Sequence, residues 1–325
     1  MNKFESFLAP QLLQYVIYRH NMGYSMKASL SNLKKFDRYL KQKQAQEVLL
    51  SSSFFMGLQA DLKIESRSVN RILSSVRVFF NYLVRTGAYD QNPVKDIPYL
   101  PENDILPYIF SPGQVNRLLS AISSRIRKAS PRRYLKDLSG YMAMVLLARC
   151  GLRIGEPIRL KLNDYRFDDK TLYIEKTQFK KDRLIPLPQS VAIELENYLA
   201  VRRCLPVIID NKYLLASSTA TGLNDNRVRT VFHRAVSDIG LKKPRQIIGN
   251  VNISCPTPHS LRHSFAVNTL KSVKKRGASA QNALPVLAAY MGHSEYKHTI
   301  KYLKFLDAYQ RLGLVNFVSR QPDQP

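Results

Sequence analysis

Between Ser25 and Leu40 the apolar residues Met26, Leu30, Leu33, Phe36 and Leu40 return every three or four positions. That interval lines one face of an α-helix, and Ser25 stands where a side-chain oxygen can cap the first turn. A stronger stripe follows in Val69, Ile72, Leu73, Val76, Phe80 and Leu83, leaving Arg67, Arg71, Ser74 and Arg85 on the other faces. There the arginines can meet phosphate, or simply water. Residues 1–95 read as helices only.

The helical period breaks at Gly87 and again in residues 92–107, where four prolines fall within sixteen positions. A linker is therefore expected over 96–110, between a helical domain at 1–95 and a second domain at 111–325. The second domain opens on Ser111-Pro112-Gly113-Gln114 ahead of Val115, Leu118 and Leu119, which combines a serine cap, a proline in the first turn and a glutamine at the third helical position. The long apolar run Tyr141–Ala148 predicts its core helix. Alternating stretches at 164–167, 171–176 and 183–187 predict a small antiparallel sheet, the last two strands joined by a basic turn at 177–182, and helices resume from Ser190. The expected fold is mainly α with this one small β-sheet, in two domains.

Charge narrows the partner. Fifty Lys and Arg against 24 Asp and Glu leave +26, a surplus of the sign that attracts nucleic acid or an anionic membrane. Residues 1–100 carry 14 basic and 7 acidic residues, and residues 101–325 carry 36 and 17, so both parts are expected to touch the partner. A membrane crossing is not expected, because the most apolar window, Tyr141–Leu152, is short and holds Arg149. Glu5 interrupts any secretory core near the start, and three cysteines without metal-ligand spacing suit free thiols, so a cytoplasmic location is expected.

Three stretches carry residues that answer one chemical need: Gly151-Leu152-Arg153-Ile154-Gly155-Glu156, His259-Ser260-Leu261-Arg262-His263, and His293 with Tyr302 nine residues on. When an oxygen attacks a phosphodiester, negative charge gathers on the non-bridging oxygens, and planar guanidinium groups match it with paired donors. Arg153 and Arg262 are the candidates. His259 and Arg262 lie three apart, so a helix opened by Pro258 projects both from one face. Tyr302 is the candidate nucleophile, in a run where Ile300, Leu303 and Phe305 are expected to anchor while Lys297, Lys301 and Lys304 face a polyanion. A phenol with an ordinary pKa of about 10 must shed its proton on attack, and His259 suits its capture near neutral pH. No metal and no cofactor is called for.

These motifs, in this order and spacing, resemble those of the tyrosine recombinases, the phage integrase and Xer-type site-specific recombinase family, over nearly the whole chain. The resemblance implies a helical core-binding domain followed by a catalytic domain. It implies that Arg153 and Arg262 clamp the scissile phosphate, that His259 assists proton transfer, that His293 bonds the phosphate or orients the site, and that Tyr302 forms a 3′-phosphotyrosyl link. Because that link conserves the phosphodiester, rejoining needs no ATP. The family also implies four protomers on two duplex DNA sites. A tail over 306–317, apolar at Leu306, Leu312, Leu314, Val315 and Phe317, would then dock on a neighbour.

Two features depart from the family pattern. The family's acid for the departing 5′ oxygen is a lysine in the hairpin between the second and third strands, and alignment on Arg183–Leu187 puts Gln178 there. Lys176 is taken as its substitute, with Lys180 as the alternative; Lys180 and Lys181 are also candidate DNA contacts, as are Arg67, Arg71, Lys297 and Lys301. Residues 271–283 are longer than the family's usual link and are expected to form an added basic loop. Two rival readings remain: a metal-dependent nuclease using His259 and His263, four apart on one face, and a DNA-binding protein on a recombinase fold that has lost catalysis, which Gln178 motivates. An arm-binding domain ahead of the first helices is not expected, which weighs slightly against a lambda-type integrase. Integration, excision, transposition and dimer resolution are all left open.

Overall fold

The computed structural model describes residues 4–45, 50–175, 182–205, 211–217, 221–249, 251–293 and 295–318, with side chains up to residue 308. The chain falls into two compact units, Met1–Asn103 and Asp104–Pro325.

The first unit holds four helices, α1 (Ala9–Asn21), α2 (Lys27–Gln42), α3 (Ser52–Asp61) and α4 (Ser66–Arg85). The apolar stripe of α4 is fully buried and meets Leu33, Phe36, Phe55 and Leu58 from α2 and α3. Aromatic rings close this core, with Phe36 stacked on Phe55 at 6.0 Å and Phe55 edge-on to Phe80 at 5.6 Å. Buried Asp37 accepts the backbone N–H groups of Glu5 and Ser6 at 2.9 and 3.0 Å, which pins the leading segment. The proline-rich segment is also part of this packing. Arg77 donates to the carbonyl oxygens of Val94 and Ile97, and Asn70 exchanges hydrogen bonds with the backbone of Leu100, so residues 94–100 lie along α4.

The second unit is built around α6 (Pro131–Arg149), buried on all sides from Met142 to Ala148 and packed by α5 (Pro112–Ser123), α7 (Gln189–Cys204), α8 (Asp225–Asp238) and α9 (Pro258–Lys275). At the start of α5, Ser111 Oγ accepts from the N–H of Gln114 at 3.2 Å and Gln114 Oε1 accepts from the N–H of Ser111 at 2.9 Å, the reciprocal cap its sequence predicts. Strands β2 (Tyr165–Arg166), β3 (Thr171–Ile174) and β4 (Arg183–Pro186) form the expected antiparallel sheet, with Leu172 opposite Ile185 and Ile174 opposite Arg183.

A second sheet was not foreseen. Strand β1 (Asp104–Leu106), which emerges from the expected linker, runs parallel to β6 (Val251–Ile253), and β6 pairs antiparallel with β5 (Gln246–Ile248). Three residues are too few for an alternating pattern to register.

Helix α9 is anchored by Phe110, whose N–H donates to Ser264 Oγ at 2.7 Å and whose carbonyl accepts from Asn268 at 2.9 Å. Its last turns contain Lys271, Lys274 and Lys275, so the first part of the supposed basic loop is helix instead, ending where Gly277 adopts φ +79°. Helices α10 (Leu284–Met291) and α11 (Lys297–Val318) pack on α9 through Val267, Leu270, Leu287, Met291 and Leu306. The buried stripe of α11 runs through Thr299, Tyr302 and Leu306, whereas Ile300, expected as an anchor, is exposed. Spacing of i, i+3 and i+7 selects one face, and Ile300 lies off it. Among the described residues no helix is long and apolar enough to cross a membrane.

Candidate phosphate and nucleophile site

Two glycines shape the site. Gly151 ends α6 at φ +61°, and a Cβ there would meet the Phe265 ring at 2.4 Å; its carbonyl accepts from Arg262 Nη1 at 2.6 Å. Gly292 ends α10 at φ +66°, where a Cβ would strike the Arg183 side chain at 2.9 Å, and its carbonyl accepts from Arg153 Nη2 at 2.9 Å. Left-handed backbone and lack of room both call for glycine at these positions. Each tight turn thus offers a carbonyl that aims one arginine.

Arg153 is braced at its other end by Glu156, which accepts its backbone N–H at 2.8 Å and its Nη1 at 3.1 Å. The same carboxylate takes a two-pronged contact from Arg183 at 3.0 and 2.9 Å, and Arg183 Nε donates to the Tyr290 carbonyl. Burial opposes ionisation of Glu156, but hydrogen bonds and charge from Arg183, the N–H of Arg153 and the charge of Arg262 outweigh it and hold the carboxyl below its ordinary range. Arg262 is 2% exposed and also donates to the Met291 carbonyl at 2.6 Å. Desolvation, then the neighbouring charge of Arg153, pushes its pKa down to about 10, which leaves it protonated at neutral pH. A guanidinium has five N–H donors, so these contacts leave others for an anion.

Tyr302 projects from α11 beside this arginine pair, whose charges it feels, and is only 3% exposed. Its ring stacks on His293 at 5.9 Å and lies 5.7 Å from His263. Burial raises the phenol pKa, while Arg262 and Arg153 pull it back. His293 is oriented by a 2.7 Å hydrogen bond between Nδ1 and Thr299 Oγ1. Desolvation, then Arg262 and Arg153, lowers its pKa to about 3. For His259 the order of causes is the same and the pKa falls to about 4. His259 nevertheless keeps a solvent-exposed edge, so the two guanidinium charges are the firmer cause there. All three histidines of the site, His263 included, are therefore neutral at pH 7, the form that accepts a proton.

The structure thus brings Arg153, Arg262, His259, His293 and Tyr302 together. Lys176, Lys180 and Lys181, with Gln178, lie outside the described residues. Arg67 is engaged with Glu102 at 2.7 Å in the first unit, while Arg71 is exposed. Lys297 and Lys301 are exposed on α11, Lys297 beside Glu295. Sequence reasoning missed two members. Arg183 was read only as a strand residue, although an arginine facing Ile174 across a small sheet needs a buried acid. His263 was weighed only as a metal ligand; its ring lies 4.5 Å from that of His259, and among the described residues no group of three or more His, Cys, Asp or Glu gathers as a metal site.

This architecture recurs in solved structures. The XerH site-specific recombinase bound to a palindromic difH substrate aligns with a TM-score of 0.64 at 19% identity, over 91% of this chain and 80% of that one. The fold is that of the two-domain tyrosine recombinases. Residues 109–308 match the model of the phage integrase family, and the chain belongs to that family. A Sinorhizobium fredii (strain NBRC 101917 / NGR234) protein named as an integrase/recombinase is 29% identical over 316 residues, 93% of each chain. A tyrosine recombinase of Pseudothermotoga lettingae is 29% identical over 245 residues, 75% of this chain and 73% of that protein. Membership in this family supports site-specific DNA recombination as the activity.

Proposed function

We propose that this protein cuts and rejoins duplex DNA at specific sites by two transesterifications through a 3′-phosphotyrosyl link at Tyr302. The observation that carries this reading is the convergence of Arg153, Arg262 and neutral histidines on one buried tyrosine. The scissile phosphate takes the spare guanidinium donors, which oppose the charge that grows on its oxygens during attack. Tyr302 gives up its proton to His259 as its oxygen bonds to phosphorus and the 5′ oxygen leaves. Lys176, or alternatively Lys180, protonates that oxygen. The second step reverses the sequence with a 5′ hydroxyl from another strand, so neither metal nor ATP is consumed.

The helical unit, residues 1–95 in the sequence-based division, serves as a core-binding domain, with Arg67 and Arg71 among its DNA contacts, and 111–325 is the catalytic domain. Lys180, Lys181, Lys297 and Lys301 add contacts there. Four protomers assemble on two sites, the 306–317 tail docking between neighbours, in the cytoplasm, for integration, excision or transposition of a mobile element or for replicon resolution. The XerH structure, in which that protein is bound to difH in a post-cleavage complex, supports the DNA reading.

The test is to recover DNA covalently attached to the protein in cells and sequence it. One recurrent sequence joined through Tyr302, formed also in excess EDTA, is expected. Cleavage of that sequence by a Tyr302→Phe variant would remove the nucleophile assignment, and binding without any adduct would favour a DNA-binding protein on this fold.

A further inference from the structure

Arg183 has no part in the steps above, yet it makes the most fully matched contact of the pocket. Its Nη1 and Nη2 donate to the two oxygens of Glu156 at 3.0 and 2.9 Å, and its Nε donates to the Tyr290 carbonyl at 2.9 Å. Tyr290 Oη in turn donates to the Pro186 carbonyl at 3.2 Å, so β4 is tied to the end of α10 twice. The turn at Gly292 closes against the same side chain, with no room for a Cβ between them.

Glu156 has a second claimant. Its side chain is 1% exposed, against 9% for Arg183 and 20% for Arg153. The Arg153 side chain reaches the carboxylate with Nη1 alone, at 3.1 Å, and turns Nη2 to the Gly292 carbonyl at 2.9 Å. Arg183 takes the two-pronged contact, the strongest that a guanidinium and a carboxylate make. A buried carboxylate that loses its matched cation is strongly destabilising unless another cation moves in. With Arg183 gone, Arg153 is the guanidinium already bonded to Glu156, and a second prong onto that carboxylate turns its fork away from its present setting.

We propose that Arg183 is a positioning residue for strand cleavage: it occupies Glu156 so that the carboxylate does not draw Arg153 off the scissile phosphate. It acts through Arg153 and touches no DNA. Charge alone does not fill this role, because an ammonium is a point donor that cannot meet two carboxylate oxygens in plane and the Tyr290 carbonyl at once. The proposal rests on the reading of the protein as a DNA recombinase in which Arg153 meets the phosphate.

The test measures single-turnover adduct formation at saturating protein on the duplex recovered with Tyr302. It compares full-length wild type with Arg183→Gln, Arg183→Lys and Glu156→Gln/Arg183→Gln, each checked for melting above the assay temperature. Arg183→Gln is expected to slow adduct formation about 10²-fold, the loss typical of one misplaced charge-stabilising donor, with duplex affinity near that of wild type. Arg183→Lys keeps the charge but not the fork and should be slow by about thirtyfold. The double variant removes the carboxylate's charge together with that of its partner, leaves the pocket's net charge as it was, and should come within about tenfold of wild type, faster than either single variant. If Arg183→Gln melts too low, because Glu156 is left underpaired, the comparison of Arg183→Lys with the double variant decides. Wild-type rates from Arg183→Gln overturn the proposal, as do wild-type rates from Arg183→Lys, which would assign Arg183 to charge alone. A double variant no faster than the single variants also overturns it, since that is the result for an arginine that only supports the fold. Absence of adduct from wild type on every duplex removes the strand-exchange reading and this role with it; wild-type adduct without the expected order of rates removes this role alone.

Discussion

Helices α4 and α11 each bury one face, and they bury opposite kinds of residue. The hidden face of α4 is Val69, Ile72, Leu73, Val76, Phe80 and Leu83, sealed by further aromatic rings. The hidden face of α11 is Thr299, Tyr302 and Leu306, set against Arg262 and two histidines of α9 and the turn before α11. The first face gains from every ångström removed from water. The second buries a guanidinium, imidazoles and a phenol, which costs stability unless each polar atom is matched. The face of α4 is built for stability, and that of α11 gives some of it up to hold reactive groups in place.

The contrast predicts that substitutions separate cleanly. Tyr302→Phe should abolish adduct formation while leaving melting temperature and duplex binding near wild type; an adduct on the variant would break the assignment. Arg153→Ala should slow single-turnover adduct formation by roughly 10³-fold or more, in the range that a phosphate-stabilising arginine supplies, while Arg183 keeps Glu156 paired. Phe80→Ala should cost the first unit about 3–5 kcal/mol, measured by chemical denaturation, with chemistry at Tyr302 affected only through lost binding.

Acid should act on the second unit. His259, His263 and His293 have folded pKa values of about 4, 3 and 3, below the value of about 6.5 expected when unfolded. Depressed values mean that the unfolded chain binds protons first, so the stability these residues provide is complete above pH 6.5 and is lost as pH falls from there toward 3. Thermal melts across that window should show the decline, and His263→Phe should flatten it. Smallest of all, Ile300→Ala should change stability by no more than about 0.5 kcal/mol, since that side chain lies off the buried stripe.

Much of this division was legible in the chain. Long periodic stripes announce α2 and α4, and the Ser111 cap announces α5, because a helix of three or more turns repeats its signal. The site's arginines, histidines and tyrosine were legible because their chemistry restricts residue type. What escaped depends on partners distant in sequence. Arg183 matters only because the fold sets it on Glu156, 27 residues away. Strand β1 pairs with β6 across more than 140 positions, β1, β5 and β6 hold three residues each, and a helix that continues through Lys274 and Lys275 looks like a basic loop when its apolar face is thin.

Glu156 has one more consequence. Three guanidinium groups, Arg153, Arg183 and Arg262, surround this single carboxylate, so the cluster carries two net positive charges. In the proposed reaction the resting phosphodiester brings one negative charge, and the phosphorus briefly bonded to both phenolic and sugar oxygens, once the proton has left, bears two. Because the proton stays in the site on His259, the total charge is unchanged through the step; what changes is where it sits, the second negative charge growing on the phosphoryl oxygens that the arginine donors face.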